Sequence, residues 1–288
     1  MASTNSGSRP IQHVDRKSLY TSLEARIRYL HSFLDFGAND VEALLSGSKY
    51  IQALIPAVVN IVYKKLLQYD ITARAFQTRS TAFEGPMDET PDEESPQILH
   101  RKMFLRAYLK KLCSDPTQME FWEYLDKVGM MHTGLGRTHP LHIEYIHIGA
   151  ALAVIQDILN EAILSHPRLQ LPRKIAIIKA LNKVIWIQND LFTKWYVHDG
   201  DEFTDGMDFG IIEKEGWLHG KKILDPDNDS EASNDTASPL TAEPKGKSKT
   251  PVGVCPFTGI AASTGNPKLS DEASTGGVKA DVPAENGH

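Results

Sequence analysis

From residue 17 to residue 197 the apolar residues recur at helical spacing, and strand-like alternation is absent. Residues 17–35 place Leu19, Leu23, Ile27, Leu30 and Phe33 on one face, and Gly37 follows as a stop. A short helix starts at Asn39, a capping residue type. Residues 51–69 carry Ile51, Ile55, Val58, Val59, Val62 and Leu66 on one broad face, with Pro56 placed to kink the run. Helices are predicted over 98–113 and 118–133. Two long ones follow, from Pro140 to about Ser165 and from about Pro172 to Val197. The acidic stretch 80–97, with three prolines, reads as a long loop. The spacing therefore predicts an all-α domain whose last two helices are the longest.

Hydrophobic residues make up 41% of the 288, enough to build a core over 16–222. Residues 1–15 are polar, and 223–288 almost lack large apolar side chains. Nothing in either stretch offsets the entropy of ordering it, so both are expected to be disordered flanks. A net charge of −6 gives no reason to expect nucleic acid. The N-terminal MASTNSGSRPIQHVDRKS lacks a secretory signal's apolar run. No stretch approaches the roughly 18 uninterrupted apolar residues of a membrane span. Cys113 and Cys255 cannot form a disulfide framework, and Cys113 reads as a reduced intracellular thiol. The expected compartment is the cytoplasm. Glycine-rich phosphate loops, CxxC pairs and HExxH motifs are missing, and no carboxylate pair demands acid–base catalysis.

The chemistry concentrates in residues 126–159, where His132, His139, His142 and His147 fall within sixteen positions. His132 ends the helical face Phe121, Trp122, Leu125, Val128 and Met131, just before Gly134 and Gly136. Such a histidine can be a core or cap residue bonding a carbonyl. That is the commoner role; the other is an iron ligand. A lone histidine cannot make a structural zinc site, which needs about four ligands. One histidine in an apolar helical pocket does suit haem, where the porphyrin supplies four nitrogens. His142 and His147 are five residues apart and do not share a helix face. His139 falls in the preceding loop.

The stretch RYLHSFLDFGANDVEALLSGSKYIQALIPAVVNIVYKKLLQYDITARAF resembles the start of the globin-sensor and protoglobin family. GMMHTGLGRTHPLHIEYIHIGAAL is similar to that family's proximal-helix end, the connection and the next helix. The resemblance runs from about residue 24 to 197. It departs from the sensor pattern in the connection, where Leu141 and His142 stand in place of the usual Trp–Tyr pair. It implies a globin fold with an additional N-terminal helix and a haem b (iron protoporphyrin IX) cofactor. His132 matches the proximal ligand. Tyr63, in IVYKKL, matches the distal tyrosine whose O–H can bond a polar ligand. Phe76, Phe104, Leu105, Tyr108 and Met131 are candidate pocket residues, although core packing would explain each equally well. His100 is an alternative distal polar group, and His142 a competing ligand.

Arg101, Lys102, Arg106 and Arg137 are candidates for the haem propionates, since guanidinium forks match carboxylates. In the tail, GVCPFTG offers Cys255–Pro256 either as a thiolate haem contact or as part of a recognition peptide. The expected function is binding of a diatomic gas, dioxygen before CO or NO, for sensing or gas handling. No output module is expected after residue 222, so any signalling partner is expected to be separate. The resemblance also implies a homodimer through the final two helices. Two other classes remain open. One is a haem-free helical interaction module, against which the retained His132 argues. The other is a haem enzyme such as a nitric oxide dioxygenase, with an external reductase.

Overall fold

A computed structural model describes residues 11–80, 83–135, 141–206 and 215–224. All of these fall in one unit, Met1–Ala237, while the second unit, Ser238–His288, lies outside the described residues. The helices are α1 (Arg16–Thr21), α2 (Leu23–Phe33), α3 (Ala38–Gln52), α4 (Ile55–Leu67) and α5 (Asp70–Ala73). A 3₁₀ turn (Arg74–Gln77) precedes α6 (Pro96–Lys111), α7 (Met119–His132), α8 (Tyr145–Ser165), α9 (Leu171–Thr193) and α10 (Asp201–Thr204). A two-residue hairpin, β1 (Trp217–Leu218) with β2 (Lys221–Lys222), ends the described chain. The all-α class holds, and α8 and α9 are the longest helices, as expected.

The boundaries depart from periodicity where capping chemistry decides them. The run 17–35 is broken at Ser22, whose extended backbone ends α1. The Ser22 hydroxyl then accepts the Ala25 N–H at 3.3 Å and starts α2. The helix expected at Asn39 instead begins at Ala38 and runs on to Gln52, capped by the Asp40 carboxylate, which accepts the Gly37 N–H at 3.0 Å. Pro56 does not kink its helix. It sits in the first turn of α4, where a missing N–H costs nothing, and the bend falls before it, α3 meeting α4 at 71°.

Helix α8 starts at Tyr145 rather than Pro140, which lies outside the described residues. Before it, the Ile143 N–H donates to the His132 carbonyl at 2.8 Å and holds the connection against the end of α7. At the C-terminal side, the expected boundary at 222 omits Leu224, which is 5% exposed and part of the core.

Helix α9 is the central post. Ile177, Ala180, Ile187 and Leu191 are fully buried along it, and it packs against α3, α7 and α8. Helix α8 is long and apolar enough to cross a membrane by length and composition alone. It lies instead along α9, α4 and α3. Where α7 crosses α9, a Cβ on Gly129 would meet the Leu191 carbonyl oxygen and the Phe192 Cα, each at 3.0 Å. Only a glycine lets the two backbones come so close.

Candidate functional site

The helices enclose a cavity of about 640 Å³. This is within the usual range of ligand pockets, roughly 300–1,000 Å³. Its walls come from α3, α4, α5, the 3₁₀ turn, α6, α7, residues 141–144, α8, α9 and the segment 215–224. Tyr63, Phe76, Phe104, Leu105, Tyr108, Met131 and His132 all line it. Arg137 lies outside the described residues, as do His139 and Cys255.

His132 is the last residue of α7, where the helix's own carbonyls lack amide partners. Its Nδ1 lies 2.7 Å from the Val128 carbonyl oxygen. A carbonyl only accepts, so Nδ1 carries the proton and the neutral ring's lone pair resides on Nε2. The ring lies 5.3 Å from that of Phe192, tilted by 32°. Among the described residues no three His, Cys, Asp or Glu side chains come together to hold a metal ion. An ion taken by His132 would therefore draw its remaining donors from a bound group.

Tyr63 is buried on α4, its ring 5.6 Å from that of Phe76. Burial pushes its phenol well above the ordinary value; Arg101 draws it back and Glu215 adds to the rise. It stays protonated, so it offers a hydrogen-bond donor. Tyr108, on α6, is likewise pushed up, by burial first and by Tyr124 second. Its hydroxyl is buried with no hydrogen-bond partner among the described residues. Such an orphan costs roughly 1–3 kcal/mol unless a ligand supplies a partner. The side-chain carbonyl of Gln188, from α9, lines the same cavity and is in the same condition. Sequence reasoning missed Gln188, because a single polar residue in a strongly apolar helix carries no spacing signal.

The basic candidates separate. Arg101 lines the cavity; it donates to the Thr78 carbonyl at 2.6 Å and lies 5.5 Å from the centre of the Phe76 ring. Lys102 is buried away from the cavity, its Nζ 3.2 Å from the Glu93 carbonyl oxygen and 3.6 Å from that side chain. Arg106 is not in the lining either. His100 packs between Phe83 and Phe104 behind the wall rather than in it. His142 and Glu144 line the cavity yet are exposed, which puts its mouth at the connection before α8. His147, also in the lining, has Nε2 3.4 Å from a Glu144 oxygen. Cys113 lines the cavity too, and burial pushes its thiol up to about 12, so it is a packing residue rather than a nucleophile.

An apolar cavity with its mouth before α8, one tautomer-fixed imidazole and several buried, protonated phenols is suited in size and polarity to a sizeable ligand. The Protoglobin family model matches residues 23–202. The chain belongs to the Protoglobin family, and it is a globin. Among solved structures, the globin domain of the Geobacter sulfurreducens globin-coupled sensor is similar to it at 16% identity, with a TM-score of 0.44, covering 59% of this chain and 97% of that one. Comparison with curated proteins gives no match.

Proposed function

We propose that the chain binds haem b in this cavity through His132 and serves as a gas-binding globin, dioxygen being the preferred ligand. The carrying observation is the fixed tautomer: the bond from Nδ1 to Val128 leaves the imidazole lone pair on Nε2, in the lining of an apolar cavity. When bound, haem supplies a ferrous iron able to take a diatomic gas. The chain's own residues do the rest. Val62, Phe76, Phe104, Leu105 and Met131 keep water out. Tyr63 presents an O–H to a polar ligand such as dioxygen. Tyr108 and Gln188 bring buried polar atoms that a ligand or an ordered water can satisfy. Arg101 in the α6 wall and His142 at the mouth are the residues suited to the propionates; Arg137 belongs to the same expectation.

The reading extends to a homodimer. Helix α8 turns Ile148, Leu152 and Ile155 to the cavity but leaves Ile146 70% exposed. On α9, Trp186 is 58% exposed. An apolar face of this kind suits a second copy of the chain, through the helices that the family resemblance implies.

Haemin titrated into the purified chain should give a Soret band that shifts on reduction and again under carbon monoxide. His132→Gly should lose that spectrum and regain it when imidazole is added. A Soret band unchanged by the substitution would remove His132 as the ligand and leave His142 as the candidate.

A further inference from the structure

The connection between α7 and α8 is held at Ile143 from two sides. The Ile143 N–H donates to the His132 carbonyl at 2.8 Å, and the Ile143 carbonyl accepts the Tyr196 hydroxyl at 2.7 Å. Tyr196 stands just beyond α9, in a turn tied back to that helix: its N–H donates to the Thr193 carbonyl at 2.8 Å. Burial pushes its phenol up to about 12, so the hydroxyl stays a donor. Its ring packs 5.5 Å from that of Tyr145 and 5.7 Å from that of His142. The two preceding residues grip α7 further back, at Asp126. Lys194 Nζ lies 2.9 Å from one Asp126 oxygen and 2.7 Å from the other, and Trp195 Nε1 donates to that carboxylate at 2.9 Å. The segment 194–196 thus holds α7 directly, nearly two turns before His132, and again at His132 through Ile143.

We propose that Tyr196 is a positioning residue for His132: through Ile143 it fixes the last turn of α7, and with it the direction of the His132 Nε2 lone pair. The bond from Nδ1 to the Val128 carbonyl exists only while the chain from Val128 to His132 stays helical. A carbonyl at a helix end has no amide further along the helix to bond, and such ends fray. The Ile143 N–H supplies an amide to the His132 carbonyl, and Tyr196 holds Ile143 where it can do so. Without the Tyr196 hydroxyl the connection loses that tie, the last turn loosens, and the imidazole points over a spread of directions. Tyr196 is not in the cavity lining, so it acts through the connection rather than on a ligand. The proposal rests on the haem reading for what Nε2 holds; the hydrogen-bonded arrangement itself does not.

Tyr196→Phe removes the hydroxyl and keeps the ring. On the ferrous, haem-loaded full chain, resonance Raman reads the iron–histidine stretch. The substitution should lower and broaden that band. Tyr145→Phe removes a hydroxyl bond in the same aromatic cluster, to Asn189 at 2.7 Å, and should leave the band in place. In the His132→Gly chain with added imidazole the ligand is no longer attached to α7, so Tyr196→Phe should change imidazole affinity by less than about 2-fold. An unmoved band in Tyr196→Phe, an equal shift in Tyr145→Phe, or a larger loss of added imidazole overturns the proposal. Amide exchange tests the same arrangement on the chain without haem. The Ile143 amide should be protected in the unsubstituted chain and exchange roughly 5- to 10-fold faster in Tyr196→Phe, the scale of one hydrogen bond. An unprotected Ile143 amide in the unsubstituted chain overturns the proposal even where the variant fails to fold. A chain that takes up no haemin sinks the haem reading, and amide exchange then decides the role of Tyr196 independently.

Discussion

A phenol that burial keeps protonated offers an O–H to a ligand that can only accept. Tyr63 is such a phenol, and it lines the cavity together with His132. Tyr63→Phe removes the donor and keeps the ring that packs on Phe76. On the haem reading, one lost hydrogen bond of about 1–2 kcal/mol should speed dioxygen dissociation roughly 5- to 30-fold. Carbon monoxide, less polar, should respond much less; equal changes for both gases in stopped-flow traces would remove the donor role. His132 and Tyr63 were legible in the sequence because each stands at the edge of a periodic apolar face and inside a recognisable stretch. Gln188 and Glu215 were not. Gln188 is one polar residue in a helix read for its apolar pattern, and Glu215 stands in a stretch with no period to place it.

At the scale of elements, periodicity located most helices but not their ends. Capping bonds at Ser22 and Asp40, and the amide of Ile143 on the His132 carbonyl, fixed those ends through contacts that spacing does not encode. The hairpin was invisible because strands of two residues have no alternation to detect, although the His–Gly pair in its turn is a signal in hindsight. The packed chain reaches Leu224, two residues past the expected boundary. A chain ending at Leu224 should therefore retain the stability of the full chain. One ending before Glu215 uncovers Leu218 and Leu224 and strips Lys127 of its Trp217 carbonyl. It should lose about 3–5 kcal/mol in urea unfolding. Equal midpoints for the two chains would show that Glu215–Leu224 contributes nothing to folding.

For the molecule as a whole, the apolar excess of the last two helices has two destinations. The cavity takes Ile148, Leu152, Ile155, Val184 and Ile185, while Ile146, Leu164, Ile175 and Trp186 remain in water. Trp195 is engaged within the chain through its Nε1 bond to Asp126 at 2.9 Å. A dimer through α8 and α9 would cover Trp186, so light scattering at about 50 µM should give twice the chain mass, and Trp186→Glu should halve it by burying an unpaired charge. A monomer mass for the unsubstituted chain would defeat the dimer.

The close crossing of α7 and α9 at Gly129 bears on how such a molecule could report on its ligand. The His132 ring meets α9 through Phe192, and about one helical turn earlier Gly129 lies against the Leu191 carbonyl and Phe192 of the same helix. Close-packed protein is nearly incompressible on this scale. A displacement of His132 along the cavity would press on α9 through Phe192. The same helix carries Trp186 to the outer surface. On that path α9, one unbroken helix from Leu171 to Thr193, would join the cavity to the exterior, with Gly129 marking where α7 bears on it.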